Sequence, residues 1–253
     1  DKEERDKDGT LIVNLSQIPK PQAAIISTDY KTGYVKAMIG GRDYSDFNRA
    51  LQAERQSGSI FKPMYYSKAV DEKYTLSSIL YDSPVVEYDY LTKVNWKPAN
   101  FENDYKGEVT LRTALMNSMN VPSIKLFQSL GINKVADWAK RLGISSQLNM
   151  DLSMSLGSSA IKLVDIVKAF SVFANEGVKN EFVFIKKVVD REGNIIFDNT
   201  VYYDAFLEPE NLFDRMEFAL FEEKEQTIDK VTAFLTVRLL RAVVNSGTAV
   251  AAN

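Results

Sequence analysis

The chain contains no cysteine and no histidine. The first absence excludes thiol nucleophiles, disulfides and thiolate metal sites, and it leaves the redox compartment open. The second excludes Ser-His-Asp and Cys-His catalysis and most zinc sites. A serine nucleophile would therefore need another base, and lysine is the leading alternative where its surroundings lower its pKa. An excess of charge of one sign is also lacking. With 31 Lys and Arg against 34 Asp and Glu the net charge is −3, so no basic face for nucleic acid is implied. No apolar run approaches the roughly 18 residues of a membrane span. The richest stretch, TAFLTVRLLRAVV at 232–244, is interrupted by two arginines and reads as an amphipathic helix. The first residues, DKEERDKDG, are too charged for a signal peptide, so any targeting segment is expected outside this chain.

What is present has the composition of a globular protein. The chain has 253 residues, 45% hydrophobic and 26% charged, enough for one large domain or two small ones. Residues 1–20 read as a polar tail or linker. QAAIISTDYKTGYVKAMIGGRD (22–43) holds two strand-like runs around a turn, which predicts a β-hairpin. SIFKPMYYSKAV (59–70) predicts a helix whose first turn contains Pro63, because proline lacks the N–H that the helix interior needs. Residues 78–108 read as loop, with one short strand at VVEYDY. Helices are predicted over 109–118, capped by Thr110, over 121–131, with Pro122 in its first turn and Gly131 as its stop, and over 133–143, closed by Gly143. A long apolar helix is predicted over 158–177, a hairpin over 182–197 and a last helix over 227–246. This order predicts an α+β fold with helices covering a sheet. Two strands are too few for a sheet under so many helices, so further strands are expected from elsewhere.

Ser59 and Lys62 lie at i and i+3, on one face of the predicted helix. A neutral lysine amine there could take the serine proton. The helix N-terminus favours developing negative charge and disfavours an ammonium. The Ser59 N–H, free in the first turn, could donate to an oxyanion. The bland alternative is that Ser59 is a helix cap. A bare S-x-x-K arises about once by chance in a chain of this length, and a second one occurs at Ser159–Lys162. Ser118-Met119-Asn120 falls at the junction of two predicted helices, where both polar side chains could enter one cleft or could simply cap the helix ends.

In this order and with these flanks, the two motifs resemble a known family. RALQAERQSGSIFKP and LRTALMNSMNVPSIKL are similar to the active-site segments of penicillin-binding proteins, and the resemblance is to the transpeptidase domain of their class A, bifunctional type. AAIISTDYKTGYVKAMIGGRDYSDFNRA, WKPANFENDYKGEVTLRTAL, SLGSSAIKLVDIVKAFSVFANEGV and TAFLTVRLLRAVVNSGTA extend it over residues 21–253. The resemblance implies a serine β-lactamase/transpeptidase-like fold, with an antiparallel sheet covered by helices. It implies that Ser59 attacks the bond between the two terminal D-alanines of a peptidoglycan stem peptide. Lys62 would be its base, Ser118 would relay the proton to the leaving amine, and Asn120 would hold the substrate backbone. The acyl group would pass to an amine of a second stem peptide, and a β-lactam would leave a stable acyl-Ser59. No cofactor or metal is implied. The implied partners are stem peptides, β-lactams and proteins of wall synthesis, on the extracytoplasmic side of a bacterium, with membrane contact only through an anchor outside this chain. Related alternatives are a D,D-carboxypeptidase and a non-catalytic peptidoglycan-binding or scaffold module. A class A β-lactamase would need a glutamate-bearing loop that no stretch resembles.

Two departures stand out. The family's third motif, K-T-G, follows the second, whereas Lys31-Thr32-Gly33 precedes the nucleophile and falls in the first hairpin turn, where Gly33 suits a positive φ. The substrate-binding K-T-G and the C-terminal strands of the sheet are expected beyond NSGTAVAAN, which would make this chain a fragment with impaired activity. The family's glycosyltransferase domain is likewise expected outside it.

Overall fold

The computed structural model describes residues 8, 20–43, 46–89, 94–100, 104–200 and 226–252. The tail expected over 1–20 lies almost wholly outside the described residues. The first hairpin forms as the sequence predicts, with β1 (Ile25–Thr28) antiparallel to β2 (Val35–Ile39). Its turn is closed by the Asp29 carboxylate, which accepts from the N–H groups of Lys31 and Thr32 at 2.8 and 3.1 Å. Gly33 has φ +76°, and a Cβ there would overlap the Glu181 carbonyl. Lys31-Thr32-Gly33 is thus turn structure. Beside it, Val183 forms a parallel bridge to Tyr34. Among the described residues β1 and β2 remain a two-stranded sheet, with Ile25 and Ile39 exposed.

The remaining strands also pair two by two. β3 (Glu54–Gln56) pairs with β8 (Ala160–Lys162), β4 (Ile79–Asp82) with β7 (Gly107–Thr110), β5 (Glu87–Asp89) with β6 (Val94–Trp96), and β9 (Lys187–Val189) with β10 (Ile195–Asp198), all antiparallel. Residues 78–108 are therefore less loop-like than predicted. Strands of three or four residues are too short to show an alternating pattern. Residues 158–177 also need correction. The expected helix is β8 followed by a helix only over Leu163–Ala174, because 160–162 is claimed by pairing with β3.

The core is built around α1 (Lys62–Asp71), which is preceded by a 3-10 turn at Gly58–Phe61. Residues 61–67 of this segment are buried without a break. The buried stretch includes the polar Lys62 and Ser67, so their polar atoms must find partners inside the core. The helix is enclosed by α2 (Leu111–Met116), α3 (Val121–Leu130), α4 (Ile132–Arg141) and the last helix, α6 (Lys230–Ser246), with α5 (Leu163–Ala174) packed on α6. Polar atoms brought into this core are satisfied. Tyr65 donates to the Ser155 carbonyl at 3.0 Å, Tyr66 meets Ser123 Oγ at 2.7 Å, and Trp138 Nε1 donates to Ser67 Oγ at 2.9 Å. Burial raises both tyrosine pKa values, which keeps the phenols protonated. No helix among the described residues is long and apolar enough to cross a membrane.

Candidate active site

Ser59 is not a helix cap. It lies inside the 3-10 turn, its carbonyl accepts the Lys62 N–H, and the residue at the start of α1, Phe61, makes no side-chain cap. Pro63 occupies the first turn of α1, as expected. Positioned this early in the turn, the Ser59 N–H has no intrahelical acceptor. The turn itself is clamped from behind. Gly58 N–H donates to the Gly157 carbonyl at 3.0 Å, and Ser57 N–H to the Ser159 carbonyl at 3.4 Å. Gly157 has φ +75°, and a Cβ there would overlap the Gly58 backbone. Only glycine allows this approach.

Lys62 reaches the second motif. Its Nζ donates to the carbonyl of Ser118 at 2.7 Å, the carbonyl of Met119 at 3.2 Å, Asn120 Oδ1 at 2.9 Å and Ser118 Oγ at 3.2 Å. Every one of these acceptors comes from residues 118–120, and none is a carboxylate. The lysine is fully buried, and desolvation of its charged form pulls its pKa down from 10.5 to about 8.

The turn that receives Lys62 has an identifiable local cause. α2 is capped at its start by Thr110, whose Oγ1 accepts the Thr113 N–H at 3.1 Å. It ends in a Schellman motif, with Ser118 N–H donating to the Leu115 carbonyl and Met119 N–H to the Ala114 carbonyl, both at 2.9 Å. The left-handed position of that motif belongs by preference to glycine, yet here it is Ser118, at φ +52°. Asn120 begins α3 without capping it. Its side chain instead accepts from Lys62 and donates to the Ala99 carbonyl at 3.1 Å.

Ser59, Ser118 and Asn120 line one cleft of about 540 Å³, together with Asn100, Asp104, Lys106 and Ser246-Gly247-Thr248. Lys62 lies beneath it. The four residues singled out in the sequence are thus brought together. The 246–248 segment and Asn100 were not singled out, although Asn100 stands in the loop stretch Pro98-Ala99-Asn100. A proline followed by an amide residue in a loop was the available signal.

The second S-x-x-K is a coincidence of spacing. Lys162 ends β8 and Ser159 immediately precedes it, so the two share no helical face. Ser159 is buried and accepts the Asn149 N–H at 3.0 Å. Among the described residues no cluster of acidic side chains could hold a metal ion.

The sequence model of the penicillin binding protein transpeptidase domain matches residues 23–253. Penicillin-binding protein 1A of Pseudomonas aeruginosa is 39% identical over 198 residues, covering 77% of this chain and 24% of its own length. The same protein of Neisseria meningitidis serogroup A is 35% identical over 237 residues, covering 92% of this chain and 28% of its own. The chain thus spans about a quarter of the length of these relatives. The crystal structure of penicillin-binding protein 1A from Haemophilus influenzae superposes with a TM-score of 0.80 at 27% identity, over 96% of this chain and 38% of that one. The chain belongs to the penicillin-binding protein transpeptidase domain family.

Proposed function

We propose that residues 21–253 form a serine D,D-transpeptidase domain acting on peptidoglycan stem peptides. The observation that carries this reading is the arrangement of Lys62. It is a fully buried amine with a lowered pKa, three residues after Ser59, and its hydrogen bonds all go to the Ser118–Asn120 turn.

In this reading the neutral Lys62 amine takes the Ser59 Oγ proton as Oγ attacks the carbonyl between the two terminal D-alanines. The Ser59 N–H faces the developing oxyanion. Ser118 Oγ, already 3.2 Å from Lys62 Nζ, passes the proton to the departing D-alanine nitrogen. Asn120 orients the substrate backbone. The amine of a second stem peptide then attacks acyl-Ser59, returns the serine proton by way of Lys62, and leaves a crosslink. A β-lactam acylates Ser59 by the same route, but its leaving nitrogen stays tethered. The substrates place the reaction outside the cytoplasm, and proteins of wall synthesis are the expected partners.

The test is incubation of the full chain with a labelled penicillin and localisation of the adduct by peptide mass spectrometry. The expected result is an adduct on Ser59 that is absent from Ser59→Ala. A folded full-length protein that forms no adduct would favour a non-catalytic peptidoglycan-binding module. Presenting a stem peptide with and without an amine acceptor separates transpeptidation from simple D-alanine release.

A further inference from the structure

Asn100 sits in the loop between β6 and β7 and is nearly buried. All four of its side-chain hydrogen-bonding positions are in use. Its Oδ1 accepts the N–H groups of Asn120 and Val121 at 3.0 and 3.1 Å. Its Nδ2 donates to Asp82 Oδ1 at 2.8 Å and to the Asp104 carbonyl at 2.9 Å. The amide can point only one way, because the flipped form would set NH₂ against two N–H groups and its oxygen against a carboxylate. Asp82 fixes that orientation. It is fully buried in β4, and its second oxygen accepts the Lys106 N–H at 2.9 Å. The neighbouring carbonyl of Ala99 holds the Asn120 side chain.

The consequence reaches Lys62. Its acceptors lie on residues 118–120, where α2 has already ended and α3 has barely begun. From the α2 side the Schellman bonds fix Ser118 and Met119. From the α3 side the N–H groups of Asn120 and Val121 have no helical partners of their own, and Asn100 supplies them. We propose that Asn100, oriented by the buried Asp82, is a positioning residue for acylation. It sets the 118–120 turn at the distance that Lys62 and the substrate require. This rests on the transpeptidase reading for its kinetic consequence, while the geometric part stands without it.

The test uses Asn100→Ala and Asn100→Gln in the full chain, with folding checked by circular dichroism. The glutamine variant keeps an amide but displaces it by one methylene. Saturation kinetics with a chromogenic β-lactam separates the acylation rate constant from the prior binding constant. The acylation constant is expected to fall ~10- to 100-fold, as misplacement of a catalytic group does, with the binding constant changed less than about threefold. Hydrogen exchange at Asn120 and Val121 should accelerate by about tenfold or more. If Asn100→Ala does not fold, Asn100→Gln decides. A folded Asn100→Gln variant with acylation within about twofold of the unaltered chain, even with a lowered Tm, would reduce Asn100 to a structural clip and overturn the proposal. Absence of an adduct in the unaltered chain would count against the transpeptidase reading instead. In that event unchanged exchange at Asn120 and Val121 would still refute the positioning role, and faster exchange would uphold only its geometric part, the hold of Asn100 on the 118–120 turn.

Discussion

Lys62 carries an amine into the protein interior with only neutral oxygens to receive it. Burial lowers its pKa from 10.5 to about 8, so roughly a tenth of the molecules hold it neutral at pH 7. If neutral Lys62 is the base, acylation of Ser59 should rise about tenfold per pH unit below pH 8 and level off above it. Stopped-flow acylation between pH 6 and 10 reads this directly, and a profile flat through pH 8 would remove Lys62 from that role. Stability should respond in the same direction. Between about pH 8 and 10.5 the unfolded chain binds the proton more readily than the folded one, so unfolding free energy increases with pH across that window. Lys62→Met should lower acylation by ~10²- to 10⁴-fold, the usual range for loss of a general base. Ser118 gives the opposite pairing of stability and activity. As a serine at φ +52° it holds a conformation that costs about 1–2 kcal/mol in a residue with a Cβ. Ser118→Gly is expected to raise stability by about 1 kcal/mol in urea denaturation, and to slow acylation if Ser118 is the proton relay proposed above. Loss of stability without loss of acylation would contradict both parts.

The placement of Ser59 depends on an element far from it in sequence. The 3-10 turn bearing Ser59 rests against Gly157, and the strand just before it, β3, pairs with β8 just after Gly157. Two backbones meet there with no room for a side chain. Gly157→Ala should cost more than ~1 kcal/mol, since it adds a collision to an unfavourable positive φ. It should also reduce the rate of penicillin acylation by disturbing Ser59. Thermal denaturation and adduct formation on the same preparation would check both, and a normal acylation rate would show the clamp to be dispensable. The S-x-N turn is held in a similar way from two helices and one loop. Both motifs are therefore placed by short, irregular backbone, while α1 supplies the rigid support between them.

The molecule is organised around α1, which no helix-face pattern could orient because it is buried nearly all round although its residues include Lys62, Ser67, Lys68 and Asp71. Phe127 from α3 packs edge-on against Tyr65 with ring centroids 5.3 Å apart, and both are fully buried. Phe127→Ala should cost about 3–5 kcal/mol, seen as a lowered urea midpoint with an unchanged slope. A loss below ~1 kcal/mol would mean that the core collapses around the gap. Much of this architecture was legible in the residues. The lack of histidine required an unusual base, Pro63 and Pro122 located helix starts, Gly131 and Gly143 located ends, and Thr110 announced a cap. The flanks around Ser59 and Ser118 pointed to the family. Local chemistry of this kind is written in neighbouring residues, because caps, turns and proline exclusions act over a few positions. Four features depended on distant partners instead: the conversion of 160–162 from helix to strand, the short pairs within 78–108, the Gly58–Gly157 contact and the Asp82–Asn100 support of Asn120. Two identical S-x-x-K spacings show why. One lies across a helix start facing a cleft and the other runs into a strand, and only the pairing of β3 with β8 separates them.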